Sequence, residues 1–135
     1  MQKAQALWQD PSIAERYANA EKATRPFAKL VLEKANLSSF EEHINVFDLA
    51  CGTGAAIKEL YDAVPEEKWN GVKVLGGDVS ESMVEYLKVR GEKEGWTGLE
   101  TQVVDGNVSL DPISYISWMY ASKRNHRTST SRTHP

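Results

Sequence analysis

A short apolar segment followed by a glycine-rich turn and a helical pattern constrains the fold of this chain more than any other feature. The segment INVFDLA (44–50) is rich in β-branched and aromatic residues, and its apolar residues do not alternate strictly with polar ones. Such a segment is typical of a strand buried on both faces of a parallel sheet. A glycine turn (52–54) leads from it into AAIKELYDAV, whose apolar residues share one helical face: Ile57, Leu60, Tyr61 and Val64.

The same alternation of strand and helix continues along the chain. VKVLGGD (72–78) predicts a second strand, Ser80 is placed to cap a helix over ESMVEYLKVRGEKEG, and LETQVVD (99–105) predicts a third strand. The residues of that helix expected to face inward are Met83, Tyr86 and Leu87. Strand, helix, strand, helix, strand is the first half of a doubly wound, Rossmann-like α/β fold with a parallel sheet.

Two further helices are predicted before the first strand. Asp10-Pro11 is a good helix start, because an N-cap aspartate precedes a proline at the first helical position, and the helix should run through SIAERYANAEK. Thr24 can cap a second helix, RPFAKLVLEKAN. The apolar residues that fall on one face of this second helix are Phe27, Leu30, Val31 and Ala35.

Length and charge limit the classes of function. At 135 residues the chain is one domain at most, which we expect to occupy residues 1–121. The last fourteen residues hold four basic side chains and no acid, whereas residues 1–121 hold 12 basic and 19 acidic ones. An acidic body argues against duplex nucleic acid as a specific partner, because phosphate neutralisation needs a basic face. The basic segment 122–135 is expected to be a disordered tail.

Membrane insertion and secretion are not expected. No apolar run approaches the roughly 20 residues needed to span a bilayer, and the first residues lack an apolar core of signal-peptide length. The chain has one cysteine, Cys51. A single cysteine excludes an internal disulfide and fits a reducing compartment, so we expect a cytoplasmic protein.

Each predicted strand ends near a carboxylate. Asp48 lies near the end of the first strand, Asp78 closes the second and Asp105 closes the third. Ligands of open parallel sheets bind outside the carboxyl ends of the strands. We therefore expect these three acids, here called the acidic edge, to border one ligand site together with the glycine turn.

The acidic edge favours a positively charged ligand over a phosphate. A dinucleotide-binding turn needs a third glycine, and that position is Ile57 here; the lysine of a phosphate-binding loop is also missing. A carboxylate about 4–6 Å from a phosphate costs roughly 3–4 kcal/mol at an effective dielectric of about 20. Nothing basic in DLACGTGAA offsets Asp48. The charge pattern therefore favours a nucleoside that carries positive charge, such as a sulfonium.

Three motifs resemble those of class I S-adenosylmethionine-dependent methyltransferases of the small-molecule, fungal type. VFDLACGTGAA resembles the first motif of that family, VLGGDVSESMVEYLK the second-strand motif and VVDGN the third. The resemblance covers residues 10–107. Their order and spacing together are a specific signal, whereas each motif alone would be weak.

The resemblance implies S-adenosylmethionine as the cofactor and a role for each matching residue. Asp78 would hold the two ribose hydroxyls, Val79 would pack on the adenine and Asp105 would accept from the adenine amino group. Gly52 and Gly54 would let the backbone approach the methionine part.

Two further residues of the resemblance would complete the site. Asp48 would favour the ammonium of the cofactor. Tyr17, in AERYANAEKATRPFAKLVL, stands where many small-molecule methyltransferases keep a tyrosine that reaches the cofactor.

Cys51 and His43 are the remaining residues with chemistry of their own in this region. A nucleophilic cysteine needs a base or a cationic neighbour to lower its pKa, and His43 is expected at the opposite end of the first strand. We interpret Cys51 as a small side chain packed at the turn and His43 as a loop residue. The sequence holds no ligand cluster for a metal.

The resemblance stops after Gly106, before the segments that shape the acceptor pocket in the family. Asp111-Pro112 and the spacing of Ile113, Ile116 and Tyr120 predict a short helix there. Three hypotheses follow: a truncated small-molecule methyltransferase that turns over poorly alone, a non-catalytic cofactor-binding or interaction fragment, and an NAD-dependent oxidoreductase, which Asp48 and Ile57 disfavour. Under the methyltransferase hypothesis the catalytic residues and the methyl acceptor remain unknown. That hypothesis also allows a partner chain that covers the first strand.

Overall fold

The computed structural model describes residues 8–106 as a three-stranded parallel sheet with α-helices. The α-helices are α1 (Pro11–Ala35), α2 (Ala55–Ala63) and α3 (Glu81–Glu94), and the strands are β1 (Ile44–Leu49), β2 (Val72–Asp78) and β3 (Leu99–Val103). Short 3-10 helices lie at Leu37–Ser39 and Glu66–Gly71. The predicted tail (122–135) and the predicted helix after Asp111 lie outside the described residues.

The strand order is β1-β2-β3, with both neighbouring pairs parallel. β1 and β2 are aligned from Ile44 opposite Val72 to Leu49 opposite Gly77. β2 and β3 are aligned from Val74 opposite Leu99 to Asp78 opposite Val103. The three strands therefore end at one edge of the sheet, as the first half of a doubly wound fold requires.

The core lies between β2 and the helices that follow β1 and β2. A Cβ built on Gly76 would meet Leu87 of α3 and Ile57 of α2, which shows that α2 and α3 cover the same face of the sheet. All four residues of the predicted α2 face are buried: Ile57, Leu60, Tyr61 and Val64. The inward prediction for α3 is confirmed for Met83 and Leu87, which are buried, whereas Tyr86 is half-buried.

The prediction of two N-terminal helices is wrong, because α1 is a single helix of 25 residues that contains Pro26. Asp10 caps it as predicted, since its carboxylate accepts from the Ser12 amide at 2.9 Å. Thr24 caps nothing: its hydroxyl donates to the Glu21 carbonyl one turn earlier, at 3.2 Å. α1 packs against both α2 and α3. These tertiary contacts on either side of Pro26 outweigh the loss of one helical hydrogen bond.

The apolar face predicted for the second N-terminal helix does not form part of the core. Phe27, Leu30 and Val31 are 73%, 51% and 64% exposed, and Ala35 is exposed as well. The half-buried Leu32 packs against the core instead. The ion pairs of α1 decide which face of this helix turns toward the core. The spacing of apolar residues alone does not predict that face.

Two strand predictions also need correction. β3 ends at Val103, two residues before the predicted end. The sequence predicts that β1 is buried on both faces, but within residues 8–106 it is half-buried from Ile44 to Asp48. The central strand β2 is the one buried along most of its length.

Candidate functional site

The turn that follows β1 has an unusual backbone. Ala50, Gly52 and Gly54 have φ of +59°, +54° and +90°. Glycine adopts such angles without steric cost, whereas an alanine pays about 1 kcal/mol or more. The Cys51 amide donates to the Gly77 carbonyl at 3.0 Å, and the Gly54 amide donates to the Cys51 carbonyl at 2.9 Å. The turn is thereby fixed to the carboxyl end of β2.

Asp78 joins the glycine turn to the start of α3. One carboxylate oxygen accepts from the Gly52 amide at 2.8 Å, and the other accepts from the Ser80 amide at 2.9 Å. Each carboxylate oxygen can accept a second hydrogen bond. Asp78 is half-buried, so its carboxylate can still accept from hydroxyl groups of a ligand.

Asp48 is the next-to-last residue of β1 and lies opposite Gly76 in the ladder between β1 and β2. Burial and, to a smaller extent, the negative charge of Asp78 together raise the pKa of the Asp48 carboxyl to about 6. Two carboxylates in one partly buried place repel each other. A positive charge between or beside them would relieve that repulsion.

Tyr17 reaches the glycine turn from α1. Its ring carbons lie 3.9 and 4.0 Å from the position that a Cβ on Gly52 would occupy. The ring also makes an edge contact with Trp8, with centroids 5.7 Å apart, and 47% of Tyr17 remains exposed. The structure therefore places Tyr17 beside the turn, with its side chain partly exposed; contact with the cofactor stays a prediction.

Val79 and Asp105 lie at the same edge of the sheet. Val79 directly follows β2 and is 36% exposed. Asp105 lies two residues beyond β3 and is half-buried. A Cβ on the next residue, Gly106, would contact Leu49 at 3.3 Å, so the chain after β3 approaches the end of β1. The acidic edge is thus a contiguous border along the carboxyl ends of the three strands.

A cleft of about 250 Å³ opens between α1 and the glycine turn. Its lining combines small side chains with two carboxylates, Glu21 and Asp48, and among its lining residues there is no lysine or arginine. One side of the cleft is therefore acidic, and its volume has room for an aliphatic or amino-acid moiety.

An ion pair beside this cleft is a feature that the sequence analysis missed. Glu21 of α1 is 7% exposed and pairs with Arg90 of α3, with a second contact between Nη2 and Oε2 at 3.0 Å. The Thr53 hydroxyl donates to Glu21 at 2.7 Å, and the Thr53 carbonyl accepts from Arg90 at 2.9 Å. Glu21 and Arg90 are 69 positions apart, so no local sequence pattern joins them.

No family model matches the chain. A methyltransferase of Aspergillus niger is 41% identical over 93 residues, which are 68% of this chain and 31% of the relative. The acetylaranotin bis-thiomethyltransferase of Aspergillus terreus is 29% identical over 117 residues, which are 86% of this chain and 43% of the relative.

Solved structures show the same fold. The crystal structure of an S-adenosylmethionine-dependent methyltransferase from Aquifex aeolicus aligns with a TM-score of 0.54 and 26% identity, over 73% of this chain and 48% of that one. The chain is related to the S-adenosylmethionine-dependent methyltransferases. A putative member from Methanococcus maripaludis shares the fold with a TM-score of 0.53 at 14% identity.

The family resemblance predicted from the three motifs is thereby confirmed. The chain spans 31% and 43% of the length of the two fungal methyltransferases just described.

Cys51 does not have the surroundings of a nucleophile in this methyltransferase fold. It is 7% exposed, and its sulfur lies 3.4 Å from the position of a Cβ on Gly76. Burial raises the pKa of the thiol, and the charges of Asp48 and Asp78 raise it further. His43 immediately precedes β1, at the end of the strand opposite to Cys51.

Between residues 8 and 106, no group of three or more His, Cys, Asp or Glu side chains is placed to hold a metal ion. In that same part, no helix has the length and apolar character needed to cross a membrane.

Proposed function

We propose that this chain forms the cofactor-binding part of an S-adenosylmethionine-dependent methyltransferase that acts on a small molecule. The observation that carries the proposal is the convergence of the glycine turn, Asp48, Asp78 and Asp105 on one edge of a parallel sheet. That edge is the ligand-binding edge of doubly wound folds. The relation to the Aspergillus and Aquifex methyltransferases supports the reaction class.

The electrostatics of the site fit a cationic cofactor. The pKa of Asp48 is raised to about 6 by burial and by Asp78, so a bound positive charge would be attracted by both carboxylates. A phosphate in the same place would be repelled by them. When bound, S-adenosylmethionine would supply a methyl group on its sulfonium: an acceptor would form a bond to the methyl carbon as the carbon–sulfur bond breaks, with S-adenosylhomocysteine as the leaving group.

Asp78, Val79 and Asp105 fit the nucleoside end of such a cofactor. Asp78 uses one lone pair of each oxygen for backbone amides, which fixes the carboxylate and leaves the other lone pairs for the two ribose hydroxyls. The exposed Val79 offers an apolar surface for the adenine ring. Asp105 accepts from the adenine amino group in this assignment.

The methionine end fits the cleft between α1 and the glycine turn. Positive φ angles at Gly52 and Gly54 turn the backbone toward the ligand, and a side chain at Gly52 would contact the Tyr17 ring. Asp48 attracts the ammonium group from the floor of this cleft. Tyr17 closes the cleft from the side of α1 and shields the ligand from water.

Calorimetric titration with S-adenosylhomocysteine tests the cofactor assignment. Asp78→Asn keeps the size of the side chain but removes acceptor capacity and charge, so we expect affinity to fall by roughly tenfold or more. Asp62→Asn is the matched control, because Asp62 is an exposed acid on α2 that pairs with Arg25 and Lys58 away from the cleft. The Asp62→Asn variant should bind S-adenosylhomocysteine with the affinity of the wild type.

Two results would contradict the cofactor assignment. One is binding of NAD without any response to S-adenosylhomocysteine, which would favour an oxidoreductase. The other is an unchanged affinity in a folded Asp78→Asn variant, which would remove Asp78 from the site.

Transfer of labelled methyl groups from S-adenosylmethionine tests the activity. The panel should hold small thiols, phenols, amines and carboxylic acids; thiols are included because one relative is named a bis-thiomethyltransferase. We expect at most weak transfer to one of these classes by this chain alone, and loss of it in Asp78→Asn. Cofactor binding without transfer to any class would favour a non-catalytic cofactor-binding protein.

A further inference from the structure

The buried ion pair between Glu21 and Arg90 is the feature of this site that the proposed roles do not use. The two side chains are 8% and 16% exposed and make two contacts, while the guanidinium also lies 5.6 Å from the Trp96 ring centre. A buried ion pair is weak evidence for stability, because desolvation of both charges offsets much of their attraction. Its geometry suggests a positional role instead.

Thr53, the middle residue of the glycine turn, is held on both of its polar sides by this pair. Its hydroxyl donates to Glu21 at 2.7 Å, and its carbonyl accepts from Arg90 at 2.9 Å. Thr53 is 2% exposed and stands between two glycines. Because glycine restricts the backbone least of all residues, the turn depends on such contacts for a single conformation.

The same pair fixes the position of Tyr17. Glu21 follows Tyr17 by four residues on α1, so the two side chains lie on one face of the helix, one turn apart. Anchoring Glu21 to Thr53 therefore anchors the Tyr17 ring over Gly52, where it contacts the position of a Cβ at 3.9 Å.

We propose that Glu21, Arg90 and Thr53 are positioning residues that hold the Tyr17 ring and the glycine turn at the spacing the cofactor needs. This inference rests on the proposed function. None of the three has to touch the cofactor for the effect; they act through the backbone of the turn and through α1.

A pair of substitutions at Thr53 separates positioning from packing. Thr53→Ser keeps the hydroxyl and loses a buried methyl, whereas Thr53→Val keeps the methyl and loses the hydroxyl. We expect Thr53→Val to weaken S-adenosylhomocysteine binding by roughly tenfold, as for loss of one hydrogen bond to a charged group, and Thr53→Ser to bind like the wild type. Arg90→Lys should also weaken binding, because one ammonium cannot replace both prongs of the guanidinium.

The ion pair between Arg25 and Glu59 provides the matched control. It also starts from α1, but it reaches α2 instead of the glycine turn, and Glu59 is similarly buried at 11% exposure of its side chain. Glu59→Gln should lower the midpoint of thermal unfolding without changing the affinity. Equal losses of affinity in Glu59→Gln and in Thr53→Val would show a general effect of stability and overturn the inference.

A double-mutant cycle with Tyr17 tests the coupling. If Thr53 acts through the ring, Thr53→Val should cost little further affinity in a Tyr17→Ala background. Full additivity of the two losses would contradict coupling between the turn and the ring.

Hydrogen exchange gives a readout that needs no cofactor. In Thr53→Val the amides of Cys51 and Gly54 should exchange faster than in the wild type or in Thr53→Ser, because their hydrogen bonds depend on the held turn. Unchanged exchange together with unchanged affinity would overturn the inference and leave the proposed function standing. Absence of S-adenosylhomocysteine binding in the wild type would instead refute the proposed function, and the exchange data would still decide whether Thr53 orders the turn.

Discussion

We expect the charge of Asp48 to lower the free energy of unfolding at neutral pH. The same charge would attract a cationic ligand. Burial, helped by the charge of Asp78, raises the pKa of the Asp48 carboxyl from an ordinary 3.8 to about 6. Asp48→Asn keeps the size of the side chain and removes the charge. We therefore expect this variant to be more stable than the wild type at pH 8 and to bind S-adenosylhomocysteine less well.

The magnitude follows from the difference in pKa between the folded and unfolded chain. A shift from 3.8 to about 6 corresponds to about 3 kcal/mol of free energy of unfolding. Between these two pKa values the folded chain holds more protons on Asp48 than the unfolded chain does, so stability falls as the pH rises through this window. The contribution is fully present below about pH 4, and it is lost above about pH 6.

Urea unfolding at a series of pH values from 3.5 to 8 measures the effect. The free energy of unfolding of the wild type should fall relative to that of Asp48→Asn as the pH rises from 4 to 6, and the difference should then stay constant. Titrating groups that do not interact with Asp48 cancel in this difference between the two proteins. Parallel curves with a constant offset would refute the reasoning, because they would mean that Asp48 titrates alike in the folded and unfolded chain.

Three other substitutions or reactions test the fold around the site. Gly54→Ala should lower the free energy of unfolding by about 2–5 kcal/mol, measured by urea unfolding, because it forces a φ of +90° on alanine and drives a methyl into Leu87; a loss within experimental error would contradict the geometry of the turn. Tyr61→Phe should cost about 1–3 kcal/mol in the same assay, because the buried hydroxyl donates to the Thr97 carbonyl at 2.5 Å, and an unchanged midpoint would exclude that bond. Cys51 should resist iodoacetamide at pH 8 in the folded chain and react fully in urea, because burial raises the pKa of the thiol, and rapid labelling of the folded protein would show that the thiol is accessible.

The parallel sheet and its ligand edge could be predicted from the sequence because local signals agree there. β2 has the predicted bounds, Val72–Asp78, and α3 begins at the predicted cap, where the Ser80 hydroxyl accepts from the Met83 amide. The order of strand, turn and helix then places the ends of parallel strands together, so Asp48 and Asp78 could be assigned to one edge without knowledge of any contact.

The start of α1 at Asp10 could be predicted, but its continuity through Pro26 could not, because that continuity depends on distant contacts. Thr24 and Pro26 form a strong local signal for a helix start, and that signal is overridden. Arg25 bonds Glu59 and Asp62 of α2, and Glu21 bonds a residue of α3. These partners are more than 30 positions away in sequence, where propensity and periodicity carry no information.

Three residues with an unfavourable backbone angle or a buried charge lie together near the carboxyl ends of the strands. Away from this edge of the sheet, Val74 and Leu60 are apolar and buried, as a stable core requires. At the edge, Ala50 has a positive φ, Asp48 is largely withdrawn from water beside a second acid, and Glu21 is buried with its charge. Each of these features costs free energy in the folded chain without a ligand. Such costs persist where the surrounding structure holds a site ready for binding, so their concentration at one edge supports the same cofactor site that the strand-end acids indicate.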